Sequence, residues 1–326
     1  MTAPAATPTR PLRLSTRTIG DRIGDLGLYG LTAGAAFGVV ALVALLVYEL
    51  IHQARPAIEK FGLGFITSQA WDPVKNDFGA LDFIWGTLYT SAIAVVLAAP
   101  LSIAIALFLS ELAPRGIRDV LGALIEMLAA IPSVVIGLWG VFVLGPFLHD
   151  HLDAFLSRTL GWTPFFSGGV PATGTGLLTA VIVLTIMIIP ITASIARELF
   201  LAVPSELEEG ALALGLTRWE MVRGVVLPYT RGGLVAAVIL GLGRAVGEAI
   251  AVTQVIGGLL GIHVSLFQSG DTLASRIAAQ YQGAATNIQV ASLVYLALIL
   301  LVISLITNVV AQLIVRRFDL QRTRVA

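Results

Sequence analysis

The stretch that decides the fold is residues 83–110, FIWGTLYTSAIAVVLAAPLSIAIALFLS, which contains no Asp, Glu, Lys or Arg. A helix needs about 20 apolar residues to cross the ~30 Å hydrocarbon core of a bilayer, and this stretch exceeds that length. Outward from it, long apolar stretches recur at residues 26–48, 127–148, 177–196, 232–262 and 290–315. The pattern predicts an all-α, polytopic membrane protein.

The composition points to the same class. Of the 326 residues, 57% are hydrophobic and only 12% are charged, whereas a soluble domain carries about 25% charged residues. The net charge is zero, so no overall field favours nucleic acid. Cysteine is absent, which excludes disulfides, a thiolate nucleophile and a Cys-ligated metal. The His and Asp residues at 149–153 resemble a metal cluster only superficially, and no metal site is predicted.

The distribution of basic residues decides between five spans and six, because Arg244 and Glu248 interrupt the stretch 232–262. With six spans and a cytoplasmic N-terminus, fourteen basic residues fall in cytoplasmic segments and five fall outside, as the positive-inside rule requires. The fourteen are Arg10, Arg13, Arg17, Arg22, Arg115, Arg118, Arg197, Arg218, Arg223, Arg231, Arg316, Arg317, Arg322 and Arg324. Five spans would put the last four outside. We therefore expect a cytoplasmic tail (1–25), a six-span domain (26–318) and a cytoplasmic C-terminal tail (319–326).

The cytoplasmic segment 204–228, PSELEEGALALGLTRWEMVRGVVLP, predicts two short helices. Ser205 with Glu208, and Thr217 with Glu220, have the spacing of capping boxes, each of which marks a helix start. Two starts so close together require a break between the helices.

Gly215 is the expected break, since glycine most easily adopts the left-handed backbone that follows a helix. Leu207, Ala211 and Leu214 share one face of the first arm, and Pro228 is expected to end the second arm before the fifth span. Such an elbow suits insertion into a cleft of another protein. An amphipathic loop lying on lipid headgroups fits the pattern equally well.

Arg244 and Glu248 are the candidate pathway residues. On a helix rising about 1.5 Å per residue, Arg244 lies roughly 20 Å beyond Arg231, the expected cytoplasmic edge of the fifth span. Each charge costs about 2.5–3.5 kcal/mol in lipid, so both should face the bundle interior or a wet cavity. Four residues apart, they share a helix face and can pair. Two interpretations remain. Arg244 is either a residue that binds an anion, with Glu248 holding it in place or acting as a gate, or half of a neutral ion pair that joins helices.

The elbow contains a recognisable motif. Glu209-Gly210-Ala211, followed by Leu214-Gly215 and then by Val226-Leu227-Pro228, resembles the EAA motif of ABC-importer permeases. In that family the elbow is a coupling helix that docks on the ATP-binding subunit. The resemblance implies this role for Glu208, Glu209, Gly210, Ala211, Leu214 and Gly215. The family usually has Ala where Gly210 stands, and both residues are small.

Further motifs, from about residue 20 to 318, resemble the PstC type of phosphate-permease subunit. They are Trp71-Asp72-Pro73, Phe78-Gly79, residues 83–88, Ala113-Pro114, residues 130–135, residues 137–140 and residues 243–248. Each is short, and their joint occurrence in this order makes the resemblance specific.

The resemblance implies a type I, MetI-like permease fold in the bacterial cytoplasmic (inner) membrane, with both termini cytoplasmic. It also implies four kinds of partner: a PstA-type permease, two ATP-binding subunits, an extracytoplasmic phosphate-binding protein and membrane lipid. Phosphate would be the transported substrate, passing Arg244 and Glu248. ATP and Mg would act on the partner, so this chain would hold no cofactor and would not be an enzyme.

Other functions are open but less well supported. The chain has no Gly-x-x-x-x-Gly-Lys-[Ser/Thr] motif, because its only lysines, Lys60 and Lys75, do not follow glycine. An ion-coupled secondary anion carrier would show internal repeats and an acidic mid-membrane site, whereas no repeat is evident and Glu248 has Arg244 beside it. A membrane enzyme would need a cluster of His, Asp or Ser on one face. An ABC importer for another oxyanion also fits the sequence.

Overall fold

The computed structural model describes residues 19–169, 171 and 173–320. Within them, six helices are long and apolar enough to cross a membrane, which confirms the six-span prediction. They are Gly24–Phe61, Leu81–Leu112, Ser133–Leu160, Leu177–Leu201, Arg218–Gly247 and Asn287–Val315. Most of the expected N-terminal tail and the end of the expected C-terminal tail lie outside the described residues.

The elements follow each other with few irregular stretches. In chain order the helices are α1 (Ile19–Phe61), α2 (Gly64–Thr67), α3 (Leu81–Leu107), α4 (Arg115–Ala130), α5 (Ser133–Trp139), α6 (Gly145–Phe147), α7 (Ala154–Leu160), α8 (Leu177–Leu201), α9 (Ser205–Ala213), α10 (Arg218–Met221), α11 (Leu227–Gly247), α12 (Ile250–Val255), α13 (Leu273–Gln280) and α14 (Asn287–Leu320). Wider π-turns continue the helices at Phe108–Leu112, Gly140–Leu144, Leu148–Asp153 and Val222–Val226, and a 3-10 turn lies at Tyr281–Gly283. A short antiparallel hairpin, β1 (Trp71–Asp72) and β2 (Asp77–Phe78), precedes α3.

The chain forms two compact units, with a boundary after Glu49 inside α1. In the first unit, apolar side chains such as Leu31 and Phe37 are exposed, as expected where the surrounding solvent is lipid. In the second unit the centre is α8, whose side chains Val181, Leu184 and Ile188 are buried against neighbouring helices.

The third span begins later than the expected 127–148. Ile131 and Pro132 have extended backbone, and they separate α4 from α5 at Ser133. The physical reason is steric, because proline disfavours the helical region for the residue before it. Residues up to Ala130 therefore belong to a separate amphipathic helix.

The fifth span also differs from the prediction. Pro228 does not end a helix, because the π-turn Val222–Val226 joins α10 to α11 and the helical run continues from Arg218 to Gly247. The run then stops at Gly247, well before Ile262, the expected end of the apolar stretch.

Gly86 permits the closest backbone approach between α3 and the segment before α13. A Cβ atom at this buried position would lie 1.9 Å from the carbonyl oxygen of Asp271. Gly86→Ala should therefore force the two segments apart and lower the free energy of unfolding by about 1–3 kcal/mol. The measurement is the thermal unfolding midpoint of the purified chain in detergent.

Gly116→Ala is the matched control, because Gly116 is a helical glycine with no heavy atom within 4 Å of the added Cβ. It should leave the midpoint unchanged or slightly higher. Equal midpoints for the two variants would contradict the close approach.

Candidate functional site

Arg244 and Glu248 lie at the point where the fifth span breaks. Arg244 is in the last turn of α11, and Glu248 follows the helix with an extended backbone (ψ 117°). Oε1 of Glu248 accepts a hydrogen bond of 3.3 Å from the N–H of Ala251, in the first turn of α12. Within the described residues no ion pair joins Arg244 to Glu248. The expected pairing is therefore not formed, since the break turns Glu248 towards α12.

The Arg244 side chain is exposed on the surface of the subunit. Its position in the last helical turn favours a cation, because the C-terminal end of a helix carries partial negative charge. In the described part of the chain, three other arginines have carboxylate partners: Arg276 lies 2.7 Å from Asp271, Arg55 lies 2.7 Å from Glu59, and Arg197 lies 4.0 Å from Glu126. Arg244 has none, so no carboxylate of the described residues neutralises its charge.

Glu248 is positioned by the packing of α12 on α5. At Gly137 a Cβ atom would lie 2.9 Å from the Cα of Ala251 and 2.5 Å from Oε1 of Gln254. Only glycine allows this approach, in the same way that small residues bring helices together in membranes. The contact fixes the position of α12 and therefore that of the Ala251 N–H group, which donates to Glu248.

A buried charge network holds the segment that follows α12. The Asp271–Arg276 ion pair is almost completely buried, and Arg276 also donates to the carbonyl of Gly258 at 3.3 Å. The N–H of Gly261 donates to Oδ2 of Asp82 at 2.7 Å, which ties the same segment to the start of α3. Burial raises the pKa of Asp271 and lowers that of Arg276, and the attraction between the two charges opposes both shifts.

This network was not predicted from the sequence, in which Arg276 counts only as one of the five basic residues expected outside the cytoplasm. Two signals pointed to it. Asp82 directly precedes the long apolar stretch 83–110, and Thr272 begins a helix by accepting from the N–H of Ser275 at 3.1 Å. Neither signal reveals that Asp82 and Arg276 hold the same segment, because the two residues are far apart in the chain.

The first arm of the elbow, α9, ends as expected at Gly215. Gly215 has a positive φ of 86° and donates to the carbonyl of Leu212 at 2.9 Å. Leu216 donates to the carbonyl of Ala211 at 3.3 Å. This pair of bonds is a Schellman motif, in which glycine is the preferred residue.

The two helix starts of the elbow differ. At Thr217 the capping box is present, because Thr217 donates its N–H to Glu220 at 2.8 Å and its hydroxyl accepts from the N–H of Glu220 at 3.3 Å. The box predicted from Ser205 and Glu208 is wrong. Pro204 occupies the N-cap position there, and α9 has no side-chain cap.

The residues assigned to coupling divide into an inner and an outer set. Ala211 is buried against the ends of the neighbouring spans, in a cluster with Phe200 and Val226. The others are half-buried or exposed: Glu208, Glu209, Gly210, Leu214 and Gly215. The expected apolar face is thus divided, since Ala211 anchors the elbow while Leu214 is 86% exposed.

The elbow and Arg244 are far apart but lie on one helical run. From Arg218 to Arg244 the run extends for roughly 40 Å at about 1.5 Å per residue. The structure therefore places the two predicted sites at opposite ends of the fifth span and connects them by continuous helix.

Comparison with known proteins supports the fold and identifies relatives. Residues 98–320 match the model of the family described as "Binding-protein-dependent transport system inner membrane component". The protein named phosphate transport system permease protein PstC of Mesorhizobium japonicum is 42% identical over 90% of this chain and 91% of its own length. PstC of Haemophilus influenzae is 43% identical over 88% of this chain and 92% of its own. PstC 1 of Mycobacterium tuberculosis is 40% identical over 91% and 96%.

Solved structures confirm the expected permease fold. A bacterial alginate ABC transporter, in complex with an alginate pentasaccharide-bound periplasmic protein, aligns with a TM-score of 0.58 at 17% identity and covers 90% of this chain and 97% of that chain. An inward-facing MetNI methionine ABC transporter aligns with a TM-score of 0.53 at 20% identity, over 72% and 94%. The six spans, the matching family model and the relatives agree. This chain belongs to the binding-protein-dependent inner membrane transport components, and within them to the PstC-type permeases.

Proposed function

We propose that this chain is the permease subunit of an ATP-driven importer of inorganic phosphate and forms half of the translocation pathway. The observation that carries the proposal is the exposed guanidinium of Arg244, which has no carboxylate partner in the described residues and lies on the same helical run as the elbow. The names of the relatives, all phosphate transport permeases, supply the substrate.

Arg244 provides the chemistry that a tetrahedral oxyanion needs. A guanidinium offers parallel N–H donors that bind two oxygens at once, and it contributes a positive charge. Glu248 is held against α12 by its hydrogen bond to Ala251, so its negative charge lies near the pathway without neutralising Arg244. We assign Arg244 to anion binding and Glu248 to the control of passage.

The elbow provides the connection to ATP. In this proposal its exposed residues, including Glu209 and Leu214, dock on an ATP-binding subunit, and movement of that subunit shifts the run from Arg218 to Gly247. The pathway then alternates between its two openings. ATP and Mg²⁺ act on the partner, and this chain performs no covalent step.

The proposed assembly contains a PstA-type permease as the second half of the pathway, two ATP-binding subunits and an external phosphate-binding protein. The chain lies in the bacterial inner membrane with both termini and the elbow in the cytoplasm. The positive-inside distribution of arginines supports this orientation.

The orientation can be tested by labelling single cysteines, because the chain has none of its own. Lys75→Cys and Arg158→Cys should react with a membrane-impermeant thiol reagent added to intact cells. Glu209→Cys should react only after the membrane is permeabilised. All three positions are exposed, so burial does not account for a difference. The reverse pattern would contradict the orientation.

Coupling can be tested at Gly215. A β-branched side chain is strained at φ 86°, so Gly215→Val should redirect α9 and reduce both co-purification of the ATP-binding subunit and substrate-stimulated ATPase activity. Gly210→Ala is the control, because no heavy atom lies within 4 Å of its added Cβ and alanine favours a helix. Full assembly and stimulation in the valine variant would show that the elbow does not couple.

The role of Arg244 can be tested by comparing Arg244→Gln, Glu248→Gln and the double variant. We expect Arg244→Gln and the double variant to assemble but to transport phosphate at least about tenfold more slowly, because the charge-assisted bonds to the anion are lost. The measurement is ATP-dependent phosphate uptake per assembled complex in vesicles, with sulfate as a competing anion.

Arg55→Gln is the control, since Arg55 forms only a surface ion pair with Glu59. It should transport normally. If the double variant regains near-normal uptake, Arg244 acts only by neutralising Glu248. Uptake that persists without the ATP-binding subunit would instead indicate a secondary carrier.

A further inference from the structure

An apolar cavity lies between the elbow and the end of the second span. Its volume is about 520 Å³, and it is open to the surface. Its walls are mainly apolar, and its polar groups are Glu111, Glu208 and Arg218. The apolar side chains that line it are Leu107, Leu112, Leu212, Trp219, Met221 and Val222. A cavity of this size accepts at least one long side chain from another protein.

Glu111 and Glu208 both line this cavity, and neither carboxylate is paired with a cation in the described residues. Burial, and secondly the negative charge of Glu111, raise the pKa of Glu208 above its ordinary value. Two like charges in an apolar cavity are unfavourable, and a cation between them relieves both the burial and the repulsion.

Arg218 does not fill this role. Its guanidinium donates to the backbone carbonyl of Glu111 at 3.3 Å rather than to either carboxylate. This bond links the start of α10 to the end of the second span, and both residues line the cavity. The charged groups at the cavity therefore sum to one negative charge.

Trp219 adds an aromatic wall next to the acidic pair. It is 66% exposed although it lies on the elbow, where lipid does not cover it in the proposed orientation. Exposed tryptophan is typical of binding surfaces, and the face of an indole attracts lysine and arginine. An apolar floor, an aromatic wall and two carboxylates together match a basic side chain, whose aliphatic stem and charged end need different surroundings.

We propose that this cavity is the socket for one lysine or arginine side chain of the ATP-binding subunit. The stem would lie on Met221 and Val222 and the charge between Glu111 and Glu208. This inference rests on the proposed function. It adds a second contact between the two subunits, in which a side chain of the partner enters this chain. The elbow's exposed face is held by the partner, and the partner's basic residue is held by the socket behind the elbow.

The test is binding of the ATP-binding subunit to the membrane permease pair in nanodiscs, measured over a range of salt concentrations. Glu111→Gln and Glu208→Gln should each weaken binding about fivefold, and the double variant more than about tenfold. The double variant should also lose much of the salt dependence, because screening acts on the removed charges. Glu206→Gln is the control: Glu206 is exposed on the same helix but does not line the cavity. It should change binding by less than about twofold.

Charge exchange identifies the occupant. Glu208→Lys should abolish binding, and one Lys→Glu or Arg→Glu substitution on the ATP-binding subunit should restore it. Restoration by Arg218→Glu in this chain would overturn the proposal, since the acidic pair would then serve an internal contact. Wild-type binding and salt dependence in the double glutamine variant would also overturn it.

The two proposals fail separately. If Gly215→Val no longer binds the ATP-binding subunit while the double glutamine variant still does, the elbow is a docking site but no basic side chain of the partner enters the cavity. If neither variant affects binding, the elbow itself is not the docking site.

Discussion

The structure depends on one constraint, which is that backbone N–H and C=O groups in a bilayer must find partners within the protein. Helices satisfy it over the six spans. In the irregular segment 256–272, backbone carbonyl groups accept hydrogen bonds from the start of α8. The first N–H groups of α8 need such partners, because they have no acceptor within the helix. Leu177 donates to the carbonyl of Gln268 at 2.9 Å, and Leu178 to that of Leu266 at 2.8 Å. The chain that follows the break in the fifth span thus supplies hydrogen-bond acceptors for the start of the fourth span.

Buried charges likewise need partners within the protein, and in this respect Arg276 and Arg244 differ. Arg276 is buried, and its charge is balanced by Asp271 at 2.7 Å, so it stabilises the fold and offers nothing to a ligand. Arg244 lies on the subunit surface near the end of a helix, with no carboxylate partner in the described residues. An anion that binds Arg244 would supply the negative charge that this residue lacks. An anion at Arg276 would instead have to compete with Asp271. Position in the fold, rather than residue type, makes Arg244 the candidate for transport.

Local rules of sequence were sufficient for part of this architecture. Apolar length predicted six spans, and the backbone freedom of glycine predicted the turn at Gly215. The Ser205 capping box failed because Pro204 already begins α9. The break after Gly247 could not be predicted, because apolar residues continue beyond it and the cause is packing of α12 on the third span. The contact of Asp82 with the segment near Arg276 is likewise long-range. The sequence therefore indicated the candidate residues Arg244 and Glu248 but not their separation, since they appeared as a pair.

That separation determines how movement at one end of the fifth span can reach the other. The run from Arg218 to Gly247 is continuous helix, so a displacement of the elbow carries Arg244 with it. Glu248 belongs to the other side of the break, because its carboxylate is bonded to α12 and α12 is fitted against Gly137. No heavy atom lies within 4 Å of a Cβ built on Gly247, so the link between the two sides is free of tight packing. In the proposed mechanism, movement of the elbow therefore changes the distance between Arg244 and the carboxylate of Glu248, and an anion passing between the two residues would experience that change.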